Sequence, residues 1–556
     1  MKKLTLKLLS VFAIITFFSF IFNYEDNDNY SLSRNNDNSF VYEQVSLEAN
    51  NIRAWIWNSG IFDQDLRTNN TPGFIWPKST SHAAVFTAGL TIACYINNQL
   101  RIAAASYRGE YRPGYCINGT FITNTNFKLY KVTRGDNSIN NPDWENWGLM
   151  VPYGAPFEDI NNNGIYEPNI DKAGVKGSAQ TVFVCLTDAD PTTHSSSEGF
   201  GGGTAPLGAE AHLTAWCYDN PEYQDMQFFK WVVINKNNTA WDSVMFSITA
   251  DPDLGDPYDD YIGCDTVRNL SYCYNADNQD GNGMGLTYGT NPPAIGFRFL
   301  DCNISNSLRL SSTCHWRSNS PLCEREPGTT LMAYNFMKGL KNDATPWVIP
   351  FTNPPRPTTF NYSGDPETQT GWTEYTGKLD NCGGILIGNT IAPSPAGERK
   401  IVMSTHTISQ RMNPGDTQVV QIAQLIARGS NNLNSVTLLK QLSDVAKHLC
   451  ENNFVIGINP ISSEVPKSFS LSQNYPNPFN PSTKIRFEIP SGKSVAQTFL
   501  SVYNALGQEI TTLVNEHLKP GIYSVDWNAA NYPSGVYFYK LSAGDFSETK
   551  KMVLIK

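Results

Sequence analysis

The chain has 556 residues, a formal charge of −10 and a pI near 5.3, with no basic stripe in its central part. A phosphate-backbone partner requires clustered Lys and Arg, so nucleic acid is excluded as a ligand. The length exceeds one ordinary core, and 12% aromatics with frequent Gly, Pro and Asn indicate two or three mainly β domains rich in turns.

The chain opens MKKLTLKLLSVFAIITFFSFIFNYEDNDNY. Lys2, Lys3 and Lys7 precede an apolar run from Leu8 to Phe22. That run matches a signal-peptide core and is short of the roughly 20 residues that span a bilayer. Residues 1–23 therefore read as a signal peptide. A retained anchor is the alternative, since no A-x-A site precedes Asn23. Residues 24–44, acidic and Asn-rich, are expected to form a disordered leader. Residues 45–457 form the expected body, a large β-sandwich-like unit with few helices, as one domain or as two divided near residue 250. Residues 458–467 read as a linker and 468–556 as a compact terminal domain.

Within the body, strands are expected at Ala84–Tyr95, Leu100–Tyr107, Thr181–Leu186, Phe228–Ile234, Trp241–Ala250, Lys400–Thr405 and Thr417–Ala427. The stretch FFKWVVINKNNTAWDSVMFSITA predicts a hairpin around its Asn-Lys-Asn-Asn turn. One helix is expected after Asn434 or Ser435 as cap, because Val436, Leu439, Leu442, Ala446 and Leu449 recur at helical spacing. SSSEGFGGGT, Ser195 to Thr204, reads as a flexible loop; it lacks the Lys-Ser/Thr of a phosphate-binding loop. The 11 cysteines suit an exported protein. Cys264 with Cys273, and Cys314 with Cys323, each bracket a short polar loop that a hairpin disulfide would bridge; free buried thiols are the alternative.

The sharpest chemical signal is EDINNNGIYEPNIDKAG. Asp159, Asn161 and Asn163 occupy positions 1, 3 and 5 of a calcium-type loop, with Gly164 at the sharp turn and Glu167 at position 9. Position 12 is Ile170, so the nearest acid for that role is Asp171, and Pro168 opposes a following helix. The candidate metal set is Asp159, Asn161, Asn163, Glu167 and Asp171, holding a structural calcium in a helix-less loop; a metal-free Asn/Gly turn is the alternative. Two further acidic runs, ADPDLGDPYDDYIGCD and NADNQDGNG, read as solvated loops or weaker calcium sites.

No H-E-x-x-H helix and no G-x-S-x-G elbow occurs, so no catalytic residue is assigned. Glu210 and His212 fall on a strand, where His212 reads as a packing residue. Trp55, Trp57, Trp76, Trp144, Trp147, Trp216 and Trp372 suit either core packing or sugar stacking.

In the terminal domain, Pro476, Pro478 and Pro481 remove backbone donors and predict a stiff polyproline-like lead-in to a strand at Lys484–Ile489. Alternating runs follow at Thr498–Tyr503, Tyr523–Trp527, Val536–Leu541 and Lys551–Ile555, the cadence of a small antiparallel sandwich. NYPNPFNPSTKIRFEIP, VYNALGQEITTLVNEHLKPGIYSVDW and SGVYFYKLSAGDFSETKKMVLIK resemble the type A C-terminal sorting domain of the type IX secretion system. The resemblance spans Ser468 to Lys556. It implies an immunoglobulin-like fold, recognition by the secretion machinery, and delivery through the periplasm to the outer surface or medium. It further implies turn roles for Gly507, Gly521 and Gly535 and makes Lys550, Lys551 and Lys556 the terminal basic residues. Segments such as NPDWENW and GDPETQTGWT are similar to stretches of uncharacterised exported proteins with the same tail. The expectation is a secreted or surface-bound, non-catalytic β scaffold for adhesion, binding or surface structure, with a surface glycan or protein as ligand. The alternative is a secreted hydrolase acting on polysaccharide or peptide.

Overall fold

The computed structural model describes residues 29–32, 40–68, 71–302, 308–316, 321–385, 391–407, 409–454, 459–462, 466–490, 496–518, 520–529 and 532–556. The signal-peptide reading lies outside the described residues.

Two antiparallel sheets make the body. The first runs Asn29–Leu32, Tyr42–Leu47, Ala54–Trp57, Ile61–Phe62, Thr87–Ile96, Trp241–Asp251, Lys400–His406 and Ser312–Trp316. The second runs Arg112–Pro113, Gln180–Thr187, Ala209–Cys217, Met226–Asn235, Thr417–Ala427, Ala294–Phe299, Leu270–Asn275 and Asp260–Asp265. Strands on both sides of residue 250 interleave: Trp241–Asp251 lies between Thr87–Ile96 and Lys400–His406. The two sheets share one core.

Strand periodicity explains that core. Val182, Val184 and Leu186 face it, as do Phe229, Trp231 and Val233. On the opposite face Phe183 and Cys185 are buried under Trp144, Trp147 and Tyr166, and Phe228 beside Trp216 and Leu425, whereas Lys230 and Val232 are half-buried. The outer face of the second sheet is therefore covered over much of its area, which accounts for near-continuous apolar runs such as Gln180–Thr187 and Ala209–Cys217. Phe62 stacks on Phe229 at 4.3 Å between the sheets. Each fully buried side chain of this size contributes roughly 1.5–3 kcal/mol.

The helix Asn432–Glu451 covers one outer area with Val436, Leu439, Ala446 and Leu449. Its cap is Asn431, whose side chain accepts the Asn434 N–H at 2.8 Å, rather than Asn434 or Ser435. Those two are otherwise engaged: Asn434 accepts the Ser430 N–H, and the Ser435 hydroxyl donates to the Pro292 carbonyl.

Several expectations are corrected. The predicted hairpin is a crossing between sheets: Met226–Asn235 belongs to the second and Trp241–Asp251 to the first. The leader does not extend to residue 44, because Tyr42–Leu47 is a sheet strand paired with Asn29–Leu32 and Ala54–Trp57. Gln44 is fully buried there, donating to Asp65 at 3.0 Å and accepting from Leu66 N at 2.8 Å.

The cysteine pairing also differs. Cys302 bonds Cys450 and Cys323 bonds Cys382, while Cys264, Cys273 and Cys314 are free and buried. Register gives the reason: Cys264 lies opposite Ser271, and Cys273 opposite Ile262, so the two thiols are diagonal rather than facing.

In the terminal domain one sheet runs Asn459–Ser462, Gly521–Asn528, Ser482–Ile489 and Ser470–Leu471. The other runs Glu509–Leu518, Ala496–Tyr503, Gly535–Ala543 and Phe546–Leu554. Ile485, Phe487, Leu500, Val502, Tyr539 and Leu541 fill a core of their own. Asn459–Ser462, within the expected linker, pairs with Gly521–Asn528.

Candidate metal loop and C-terminal domain

The five candidate ligands lie in one loop between the short strands Phe157–Glu158 and Lys172–Ala173, which pair with each other. Gly164 sits at φ +75°, a left-handed position that permits the sharp turn. Asp159 accepts the N–H of Gly164 at 2.7 Å and of Asn163 at 3.2 Å. The Asn161 and Asn163 amides both donate to the same oxygen of Glu167, at 2.7 and 2.6 Å. Those three side chains therefore converge on one point. Asp171 is different: it is buried, and its two oxygens take the N–H groups of Ile160 and Glu167 at 2.9 and 2.7 Å. It clasps the loop's backbone ends. Carboxylates and amide carbonyls are the donor types a hard cation selects, and Asp159, Asn161, Asn163 and Glu167 carry them. Here Asn161 and Asn163 turn their amide nitrogens to Glu167, while their oxygens accept the N–H groups of Asn163 and Ile165. Among the described residues one trio of His, Cys, Asp or Glu ligand atoms lies within 4.8 Å, formed by Cys323, Asp343 and Cys382, but its two sulfurs are joined in the disulfide and offer no thiolate.

The second acidic run is partly buried. Desolvation raises Asp260 well above the usual carboxylate range, and Asp259 is pushed up to about 7. Asp280 accepts the Asp256 N–H at 2.8 Å and tightens this turn. Asp251 forms an ion pair with Lys400 at 2.7 Å, and Tyr107 donates to the same carboxylate at 3.3 Å. Burial, reinforced by Asp251, raises the Tyr107 hydroxyl, the reverse of what a tyrosinate base needs.

Glu210 and His212 share one face and are bonded at 3.0 Å. Glu210 also accepts the Cys116 N–H at 2.8 Å. Burial alone would raise Glu210, but these bonds hold it below its ordinary value. The seven tryptophans weighed as sugar platforms are all buried.

Sequence reading missed a second set of carboxylates. Ser195–Thr204 is not a free loop, because Glu198 is buried and accepts the N–H groups of Tyr107, Arg108 and Gly109 at 3.0, 2.7 and 2.8 Å. Glu110 takes the Ser195 and Gly203 N–H groups at 3.1 and 2.6 Å, and Asp188 those of Leu207 and Ala209, both at 2.6 Å. The His194 ring lies 3.5 Å from both Glu110 and Asp188. No motif announces these contacts, since they join residues remote in sequence.

The proline segment of the terminal domain is a closed loop rather than an extended lead-in. Tyr475 and Lys484 exchange both backbone hydrogen bonds at 2.9 Å. Asn474 bridges the loop, donating to the Pro476 carbonyl at 3.1 Å and to the Thr483 hydroxyl at 2.9 Å. At the tip, Phe479 enters the core against Trp527, and its backbone bonds Val553 and Ile555 on the final strand side. Gly507 holds the expected left-handed turn at φ +78°, whereas Gly521 and Gly535 begin strands.

No curated protein sequence matches this chain. Three solved structures are similar at a low level. A polysaccharide lyase is 8% identical with a TM-score of 0.17, covering 62% of this chain and 34% of its own. Latent dimeric PorU of Porphyromonas gingivalis is 9% identical with a TM-score of 0.14, covering 68% and 31%. The BSP domain of a biofilm-associated protein is 9% identical with a TM-score of 0.12, covering 95% and 83%. The chain thus spans about a third of the lyase and of PorU, and none of these similarities carries a fold or functional argument. Residues 473–556 match the secretion system C-terminal sorting domain (Por_Secre_tail). The two-sheet unit closed by its proline loop is the C-terminal sorting domain of a type IX secretion cargo protein.

Proposed function

We propose that the body is a non-catalytic β scaffold displayed on the cell surface or released from it, serving adhesion, ligand binding or surface structure. The sorting domain implies export and engagement of the secretion machinery. The observation that carries the scaffold reading is the use of Glu110, Asp188 and Glu198 as buried clamps on backbone N–H groups. Carboxylates occupied in this way hold loops in place instead of facing substrate. The Asp159 loop is read as a structural calcium site, with Asp159, Asn161, Asn163 and Glu167 as ligands and Asp171 closing the turn.

A secreted hydrolase is the second reading. It is favoured by Asp253, which burial and the neighbouring Asp251 keep protonated well above the usual range, as a general acid requires. One experiment separates the two. The exported protein is assayed on a panel of glycans and peptides beside its Asp253→Asn and Asp251→Asn variants. No turnover, with binding of wild type to whole cells or extracellular matrix, supports the scaffold; turnover abolished by either variant overturns it. Export itself is read by removing residues 468–556: retention in the periplasm is expected, and normal surface delivery would contradict the role of the tail.

A further inference from the structure

Three segments of the body meet at a buried cluster that neither reading uses. Glu324, Lys341 and Asn381 are each at most 3% exposed, although all three are polar or charged. The Lys341 amine bonds Glu324 Oε1 at 2.7 Å and is in hydrogen-bond contact with the Asn381 amide oxygen. On its far side the amine lies 4.7 Å from the centre of the Trp347 ring, itself buried. The Asn381 amide nitrogen is oriented by the Pro346 carbonyl at 2.9 Å.

The surrounding chain fixes these groups before any chemistry occurs. The Cys323–Cys382 disulfide joins the neighbours of Glu324 and Asn381 directly. Asn342, next to Lys341, donates its N–H to the Cys323 carbonyl at 2.8 Å. Asp343 accepts the Gly383 N–H at 2.6 Å. An amine, an amide carbonyl and a carboxylate are thus held together away from water, the condition under which an intramolecular reaction gains most from proximity.

We propose that Lys341 and Asn381 form an intramolecular isopeptide bond, with Glu324 as the proton carrier. The Lys341 ammonium passes a proton to the Glu324 carboxylate. The Nζ lone pair then bonds to Asn381 Cγ, and the carbonyl electron pair moves onto Oδ1. Nζ loses a second proton, relayed through Glu324 to Nδ2. The Oδ1 pair re-forms the carbonyl, the Cγ–Nδ2 bond breaks, and ammonia leaves with that bonding pair. One proton stays on Glu324, which balances the reaction without an oxidant or co-reactant.

Charge supports Lys341 as the nucleophile over its neighbour Lys378. Both amines contact Glu324, but Lys378 also pairs with Asp380 at 3.1 Å and keeps a carboxylate of its own. Burial draws Lys341 below the usual lysine range against the opposing pull of Glu324, and the charge of Lys378 adds to that lowering.

The test is peptide mapping of the full exported protein after reduction and alkylation, so that the disulfide does not link the same peptides. The expected product is a branched species joining the Lys341 and Asn381 peptides, one ammonia lighter than their sum. Glu324→Gln should yield the two peptides separately, in a protein whose circular dichroism matches wild type. Should that variant misfold, the wild-type map alone decides. Separate, unmodified Lys341 and Asn381 peptides from wild type would overturn the bond, and a branch at Lys378 would overturn the assignment of the nucleophile.

Discussion

The Asn235 side chain donates to the Met412 carbonyl at 2.9 Å and so ties together two crossings between the body's sheets. One crossing follows Met226–Asn235 and the other precedes Thr417–Ala427. The same residue donates to the Thr239 carbonyl at 3.1 Å, accepts the Asn237 N–H at 2.9 Å, and exchanges backbone bonds with Gly415 and Asp416. Asn235 is fully buried, so removing its amide takes this donor from the Met412 carbonyl in a place water does not reach, while the Thr239 carbonyl is only part-buried. Asn235→Ala should lower the body's unfolding free energy by about 1–3 kcal/mol, read by urea denaturation. A loss below about 0.5 kcal/mol would show that the crossings are held elsewhere.

Legibility in the sequence followed the range of the contacts. Strands such as Gln180–Thr187 and Thr417–Ala427 were visible because burial on one or both faces imposes a residue pattern within the strand. Which strands pair was not visible. Met226–Asn235 and Trp241–Asp251 look like a hairpin because their separation suits one, yet each is better buried in a different sheet. The turn of the Asp159 loop was legible because its Asp, Asn and Gly residues recur within 13 residues, from Asp159 to Asp171. The Glu198 clamp and the Glu324–Lys341–Asn381 cluster were not, since only the fold brings their parts together.

If the Asp159 loop holds calcium, the ion binds the folded chain alone and raises its stability by mass action. At calcium 100 times its Kd the gain is about 2.7 kcal/mol. A chelator should therefore lower Tm, and Asp159→Ala combined with Asn161→Ala should remove most of that difference. An identical melt with and without chelator would leave the loop as an Asn/Gly turn closed by Asp171.

His194 supplies a pH signature. Burial opposes its charge, but hydrogen bonding to Asp188 and the charges of Asp188 and Glu110 raise it from an ordinary 6.5 to about 9. A pKa raised on folding stabilises fully below the unfolded value and loses that contribution as pH rises through the folded one. The clamp should accordingly be strong at pH 6 and weaken between about 6.5 and 9, by up to about 3 kcal/mol. His194→Gln should flatten this slope in denaturation curves measured from pH 6 to 9.5. Parallel slopes for wild type and variant would place the titration on another group.

The proline loop of the sorting domain makes the most direct link between a side chain and export. Phe479 is 2% exposed and packs its ring 5.4 Å from Trp527, while its backbone bonds Val553 and Ile555. Phe479→Ala opens a cavity where the first and last parts of the domain meet, and substitutions of this kind cost about 3–5 kcal/mol. A domain of this size has little stability beyond that. The variant should therefore accumulate in the periplasm and be cleaved there by added protease. Tyr475, in the same loop but 81% exposed, provides the contrast. Tyr475→Ala should leave surface delivery intact if the machinery needs the folded domain, and equal export of both variants would show that the closed loop is not what the machinery requires.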